Sequence, residues 1–302
     1  MTVLPGIRTA CLAAAAVLSL ALPCAAEPFD IAITVDDLPA HGALPVGMTR
    51  LGIARSTLAT LKAHRVVEAY GFVNSAKIAR EPGSEAVLDA WRAAGQPLGN
   101  HTATHMNLAR ASSFDAWRGD VIDGEPAIAA RMAGADWHWL RFPNLAVGER
   151  KDEALAFFAQ RGYRVADVSL AFGDWVYTDA YARCVAKNDT AAIATMKRHY
   201  LANVDRGIAR MQDDSRRVFG RVIPHVLLTH LGGWSAVTLP DVLARLDAAG
   251  ARYVTLAQAH SDPAYAQPGG GSLVTRAAKA RDVKLAAAGE EMALDVKALC
   301  QE

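Results

Sequence analysis

The 302-residue sequence predicts a parallel α/β fold, and three observations carry that prediction. Short β-rich apolar runs alternate with Ala- and Leu-rich stretches of helical period. The runs are continuously apolar, as strands buried on both faces are. Polar residues gather at the C-terminal ends of those runs, where parallel α/β folds place their sites. An open doubly wound sheet and a closed barrel both satisfy this pattern.

Seven runs read as strands: Phe29–Val35, Val66–Val73, Gln96–Gly99, Trp137–Phe142, Tyr163–Leu170, His225–Leu228 and Arg252–Leu256. Between the first two, Arg50–His64 places Leu51, Ala54, Leu58 and Leu61 on one helix face. Ser84–Ala94 and Leu239–Ala249 follow the same rule. Gly95, Gly162 and Gly250 each stand where a helix C-cap glycine belongs. Thr178–Arg221 is a mostly helical insertion, longer than a crossover needs. Ser261–Gly271 is rich in Pro and Gly, and Ser272–Glu302 reads as a C-terminal helix. No internal repeat interrupts residues 27–302, which are expected to form one domain.

The N-terminus has the form of a secretory signal peptide, residues 1–26. Arg8 is the sole charge before Glu27, an apolar run spans Cys11 to Leu22, and Cys24-Ala25-Ala26 supplies small residues for cleavage after Ala26. The run is short for a membrane span, which needs roughly 20 residues. The expected product is therefore exported, periplasmic or secreted, with no stable membrane insertion after cleavage. It carries 31 basic and 31 acidic residues. Without a basic stripe or acidic tail, nucleic acid is not an expected partner. Cys184 and Cys300 are left. An oxidising compartment permits a bridge between them, and they lack zinc-site spacing. Oligomeric state has no signature here.

Five clusters carry candidate chemistry. Thr34-Val35-Asp36-Asp37 ends the first strand. Adjacent carboxylates repel unless a cation or proton relieves them, and neighbouring strand residues face opposite ways. The chain must turn there if both are to face one site. His101-Thr-Ala-Thr-His105 places two imidazoles at i and i+4, one face of a helical turn, able to share a metal. With Asp37 they form a two-His, one-carboxylate set that leaves a position open. Arg141-Phe-Pro143-Asn144 offers a guanidinium for a carboxylate and, at Asn144, a backbone N–H for an oxyanion. Asp174-Trp175 offers a stacking surface. Leu228-Thr-His230 ends another strand, where a His can act as an acid. No Gly-x-Gly-x-x-Gly follows the first strand, and Ser235 lacks a nucleophile-elbow setting. His41 reads as a solvated loop residue, and the other histidines as structural.

In this order the clusters resemble the polysaccharide deacetylase family, the NodB-homology group of carbohydrate esterases, from about Phe29 to Leu256. The resemblance implies a distorted (β/α)7 barrel and removal of N-acetyl groups from a carbohydrate with the help of zinc or another divalent transition metal. It implies Asp36 as base, Asp37, His101 and His105 as metal ligands, and Arg141 orienting Asp36. It makes the Asn144 amide an oxyanion donor, His230 the acid, and Leu228 and Trp175 walls of the acetyl pocket. Relatives on the same scaffold imply alternatives: a xylan-type O-deacetylase, a cyclic imide or ureide hydrolase, or a glycan binder that keeps its metal. Two positions depart from the family pattern. Asn144 stands where an aromatic residue is usual. Ala171, four residues before Trp175, stands where an Asp pairs with the acid in many members. Without that carboxylate His230 should have a lower pKa than in relatives, unless Asp167 or Asp174 substitutes.

Overall fold

The computed structural model describes residue 2, residues 27–286 and residues 294–301. The expected signal peptide and its cleavage point lie outside the described residues.

Eight parallel strands form one sheet. They are β1 (Phe29–His41), β2 (Ala69–Val73), β3 (Leu98–Asn100), β4 (Trp139–Leu140), β5 (Arg164–Val165), β6 (Leu170–Ala171), β7 (His225–Gly232) and β8 (Ala251–Tyr253). The order across the sheet is β5-β4-β3-β2-β1-β7-β6, with β8 pairing the start of β1. β1 is central and buried along nearly its whole length. Its side chains alternate between the barrel interior and the surrounding helices, which is why the run is apolar throughout.

The helices are α1 (Arg50–Ala63), α2 (Ala76–Arg80), α3 (Ser84–Ala93), α4 (Phe114–Ala129), α5 (Lys151–Arg161), α6 (Thr178–Ala186), α7 (Thr190–Phe219), α8 (Gly233–Ala248), α9 (Leu256–His260) and α10 (Leu273–Ala280). Gly95, Gly162 and Gly250 follow helices with φ of 80°, 72° and 87°, the left-handed C-terminal position. The result is a single domain, a sheet curled into a distorted (β/α)7 barrel with helices around it.

Three expectations change in detail. The run Tyr163–Leu170 is two strands, not one. Ala166 N–H still donates to Leu140 O on one edge of the sheet, whereas Ser169 N–H donates to Val226 O on the other. The chain between them crosses from edge to edge, so the sheet closes through an irregular segment. The C-terminal helix stops at Ala280 instead of running through residue 302. Asp282 is left-handed at φ 54° and Val283 N–H returns to Ala278 O, a Schellman ending. Strand-end positions shift by a few residues elsewhere, as for β2, which begins at Ala69.

The insertion α6–α7 is held by an aromatic cluster. Tyr177 stacks on Trp234 of α8 with centroids 5.1 Å apart, and Tyr181 and Tyr200 meet the same indole edge-on. Such pairs contribute about 0.5–1.5 kcal/mol each beyond their burial. Cys184 of α6 is bonded to Cys300, with an S–S distance of 2.05 Å, tying the C-terminal tail to the insertion. The cluster fixes the 3-10 turn Asp174–Tyr177, which carries residues of the site.

Candidate active site

The site lies at the C-terminal ends of β1, β3, β4 and β7. The β1 ladder slips after Val35 against β2 and after Asp36 against β7. Asp37 sits at the slip with φ 66°, a conformation Asp tolerates better than most residues. The expected turn is this irregularity, and it brings both carboxylates to one site. Both are buried.

Arg141 follows β4 and is fully buried. Its Nη1 donates to both oxygens of Asp36 at 3.2 and 3.3 Å, its Nη2 to Thr34 Oγ1 at 3.0 Å, and its Nε to Ala166 O at 2.5 Å. The guanidinium also lies over the Phe72 ring, 4.7 Å from the centroid. Burial pushes its pKa down while Asp36 and Asp167 push it up. These bonds leave Asp36 little freedom to rotate.

His101 and His105 follow β3, but not on a helix. Residues 101–107 are loop, with Thr102 and His105 both at φ 61°. The i, i+4 spacing therefore brings the rings together by a different route from the expected helical turn. Side chains from neighbouring elements build the loop. Asn74 Nδ2 donates to the carbonyls of His101 and Thr102, Asn100 Oδ1 accepts from Thr102 N, and Asp120 accepts from the backbone and hydroxyl of Thr104. At Gly99, just before the loop, an added Cβ would stand 2.9 Å from Trp139 O, so only glycine lets β3 and β4 approach this closely.

The two imidazoles converge on Asp37. His101 Nε2 and His105 Nε2 each stand 3.5 Å from Asp37 Oδ1. That oxygen is buried and has no hydrogen-bond partner. His101 Nδ1 is 2.8 Å from Arg141 O, which can only accept, so Nδ1 carries the proton and Nε2 presents a lone pair. Burial lowers the pKa of both rings, that of His105 to about 4. Burial pushes the Asp37 carboxyl up, but His41, His101, His105 and Lys77 outweigh it and hold the group well below the usual carboxylate range. Ligand atoms of a tetrahedral zinc at roughly 2.0–2.1 Å stand about 3.4 Å apart. The donor set and its spacing fit a divalent metal, and Asp37, His101 and His105 together form a group able to hold one.

His230 lies near the C-terminal end of β7, opposite Asp36 in the ladder. Its Nδ1 is 3.0 Å from Asp174 Oδ1. The other Asp174 oxygen accepts from Thr229 Oγ1, His230 N and Ser235 Oγ, each at 2.7 Å. Burial alone would lower the His230 pKa, but Asp174, Asp36 and Asp37 raise it to about 9. Burial likewise opposes ionisation of Asp174, and His230 with the hydroxyl donors holds it down to about 2. Of the two residues that the sequence offers in place of Ala171, one does substitute. Asp174 supplies the carboxylate from the next turn. Asp167 does not: it pairs with Arg276 at 3.0 Å, and burial raises it to about 6.

The remaining candidates sit around this centre. Leu228 is two residues before His230 on β7, hence on the same strand face. Trp175 is half exposed beside Asp174. Asn144 is in the turn after β4 at φ 56°, and its Oδ1 accepts from Asn107 Nδ2 at 3.0 Å. His41, read from sequence as a solvated loop residue, is instead part of the site. Its Nδ1 lies 2.6 Å from Asp37 Oδ2 and its ring 4.7 Å from that of His230. Its offset of four residues from Asp37 was the available signal. Ser235, set aside as a nucleophile, serves Asp174.

A family model described as polysaccharide deacetylase matches residues 25–166. By this match and by its fold, the chain resembles the polysaccharide deacetylase family. Solved structures of such deacetylases share its fold. The polysaccharide deacetylase Bc1974 from Bacillus cereus aligns with TM-score 0.52 at 19% identity, over 75% of this chain and 91% of that one. The chitin deacetylase of the fungal pathogen Colletotrichum lindemuthianum aligns with TM-score 0.52 at 20% identity, over 78% and 88%. A carbohydrate esterase family 4 pseudoenzyme from Bacillus anthracis aligns with TM-score 0.50 at 17% identity, over 73% of this chain and 61% of that one. The chain thus spans less than two thirds of the pseudoenzyme's length. No curated protein matches the chain by sequence. Among its described residues, no helix is long and apolar enough to cross a membrane.

Proposed function

We propose that this chain is an exported, metal-dependent hydrolase that removes N-acetyl groups from an amino-sugar oligo- or polysaccharide, cleaving a C–N amide bond. One observation carries the reading: a buried, unpartnered carboxylate oxygen faces two imidazole nitrogens beside a second carboxylate that Arg141 holds still. Buried carboxylate oxygens seldom go without a donor.

Asp37, His101 and His105 would hold the metal, with zinc favoured by its donor set. Bound there, the ion would supply Lewis-acid chemistry, easing loss of a proton from water and polarising the acyl carbonyl. Asp36 takes the proton from the attacking water, with Arg141 keeping its oxygens aimed. The Asn144 N–H donates to the oxyanion as the carbonyl carbon becomes tetrahedral. His230, cationic beside Asp174, gives its proton to the departing nitrogen as the C–N bond breaks. Water is consumed, and acetate and a free amine leave. Leu228 and Trp175 wall the acyl and sugar sites. The match to a pseudoenzyme fold supports a second reading, a glycan binder without turnover. Retention of Asp36, Arg141 and the Asp174–His230 pair argues against it, because binding alone requires none of them.

The Cys184–Cys300 bridge supports an oxidising compartment, in line with cleavage of residues 1–26 on export. The test is acetate release from N-acetylated chitooligosaccharides after chelation and again with zinc restored. Release that returns with zinc supports the hydrolase. Stoichiometric zinc without release from N- or O-acetylated glycans would make the chain a binder.

A further inference from the structure

The two oxygens of Asp37 have different surroundings. Oδ1 stands 3.5 Å from two imidazole nitrogens and lacks a hydrogen bond. Oδ2 stands 2.6 Å from His41 Nδ1. The first distance suits two ligand atoms sharing one ion. The second is that of a charge-assisted hydrogen bond and is too short for an ion to sit between the atoms. A carboxylate that ligates a metal is deprotonated, so Oδ2 can only accept and His41 Nδ1 donates.

We infer that His41 is a positioning residue of the metal site, donating through Nδ1 to Asp37 Oδ2 so that Oδ1 is aimed at the ion with His101 and His105. This rests on the metal-site reading above and deepens it.

The fold spends several contacts on placing His41. Lys77 Nζ donates to Ala40 O at 2.8 Å, and Asp179 Oδ1 accepts from Ala43 N at 2.9 Å. His41 itself registers with Gly232 at the end of β7. Gly42, between these anchors, has φ 63°, and a Cβ there would stand 2.8 Å from Thr178 Cγ2. Thr178 and Asp179 open α6. The helical insertion therefore has a role at the metal site: its first turn clamps the loop that holds His41 against Asp37. Such a donor orients the ligating carboxylate and narrows its motion before the metal arrives. The same His41 ring packs on His230, so it also forms the wall between the metal side and the acid side.

Asparagine places an N–H donor where histidine has Nδ1, whereas glutamine places one near Nε2. Zinc affinity of the full chain is measured by competition with a chromophoric chelator for wild type, His41→Ala, His41→Asn and His41→Gln. Loss of an outer-shell partner costs about 10–100-fold in affinity, so His41→Ala and His41→Gln should weaken zinc by that factor and His41→Asn by no more than ~3-fold. The visible spectrum of bound Co2+ should be unchanged in His41→Asn, because no ligand is exchanged. Equal affinity in wild type and His41→Ala would overturn the inference, as would equal losses in His41→Asn and His41→Gln. A Co2+ spectrum altered in His41→Asn would make His41 a ligand, and two zinc ions per chain would place a second ion between His41 and His230; either result overturns it. Wild-type chain that takes up no zinc ends the metal reading itself, and one zinc held equally tightly with and without His41 ends only this one.

Discussion

Two buried carboxylates mark the two sides of the site, and they are satisfied in opposite ways. Asp174 is saturated: its oxygens accept from Thr229, Ser235, the His230 backbone and the His230 ring. Asp37 has one oxygen bound by His41 and one with no donor. A carboxylate ringed by donors has its charge spent, and what remains is the field it exerts on its neighbour, which keeps His230 protonated. A carboxylate left half satisfied away from water carries a desolvation cost that a cation removes. On the proposed reading, the same side-chain type would serve proton chemistry on the β7 side and metal chemistry on the β1–β3 side.

The sharpest way to break that division is between Asp36 and Asp37, one peptide bond apart. Asp36→Asn should lower kcat about 10³–10⁴-fold, near the upper range for losing a general base, while zinc stoichiometry measured after dialysis stays at the wild-type value. Parallel loss of zinc and turnover would mean that the two carboxylates share one role.

On the other side, Asp174→Asn should lower kcat about 10²-fold through the acid. It should also move the alkaline limb of the kcat profile. His230 with a pKa raised to about 9 is protonated below that pH and loses its proton above it. Without the Asp174 charge, burial pulls the pKa down, so the limb moves to lower pH. The same pair contributes to stability. For His230 the contribution is complete below the ordinary 6.5 and lost as pH rises through about 9; for Asp174 it is present above the ordinary 3.8 and lost as pH falls through about 2. An unmoved alkaline limb would separate His230 from the proton transfer.

The two sides also differ in how far the sequence revealed them. The convergence on the proposed metal side was legible because its parts are short and local: Asp36-Asp37, His101 with His105, and Arg141 just past a strand. Each ends an apolar run, and parallel strands bring such ends together. What stayed hidden there was conformational. The His pair lies on a loop with two left-handed residues, and His41 comes into reach through the slipped end of β1. On the acid side, Asp174 meets Thr229, His230 and Ser235 across separations of 55 to 61 residues. No spacing rule covers such a contact. Comparing Ala171 with a family position suggested a missing carboxylate, whereas the 3-10 turn after Gly173 delivers one three residues later. The split of Tyr163–Leu170 was hidden for a related reason, since edge-to-edge closure is a property of the whole sheet.

The disulfide tests whether the insertion matters for stability more than for chemistry. It joins residues 116 apart. Cys184→Ser should cost about 2–4 kcal/mol in unfolding free energy, read from denaturant curves, because so long a loop is released in the unfolded chain. The kcat of the folded variant should stay within about 2-fold of wild type, an effect well below 1 kcal/mol. A large kcat loss at full zinc occupancy would mean that the tail, through α6, positions the 3-10 turn that carries Asp174.

Trp175 gives the smallest expected effect and separates two roles within one turn. It is adjacent to Asp174 but 53% exposed, so little of its indole is spent on packing. If it only offers a face to the sugar, Trp175→Ala should raise KM by about 2–10-fold, in line with roughly 0.5–1.5 kcal/mol for an aromatic contact, and leave kcat unchanged. The alkaline limb should remain in place, because Asp174 is held by Thr229, Ser235 and β7, and none of these bonds passes through the indole. A limb displaced together with KM would show that Trp175 also shields the Asp174–His230 pair from water. The acid side would then depend on an exposed residue that the metal side does not need.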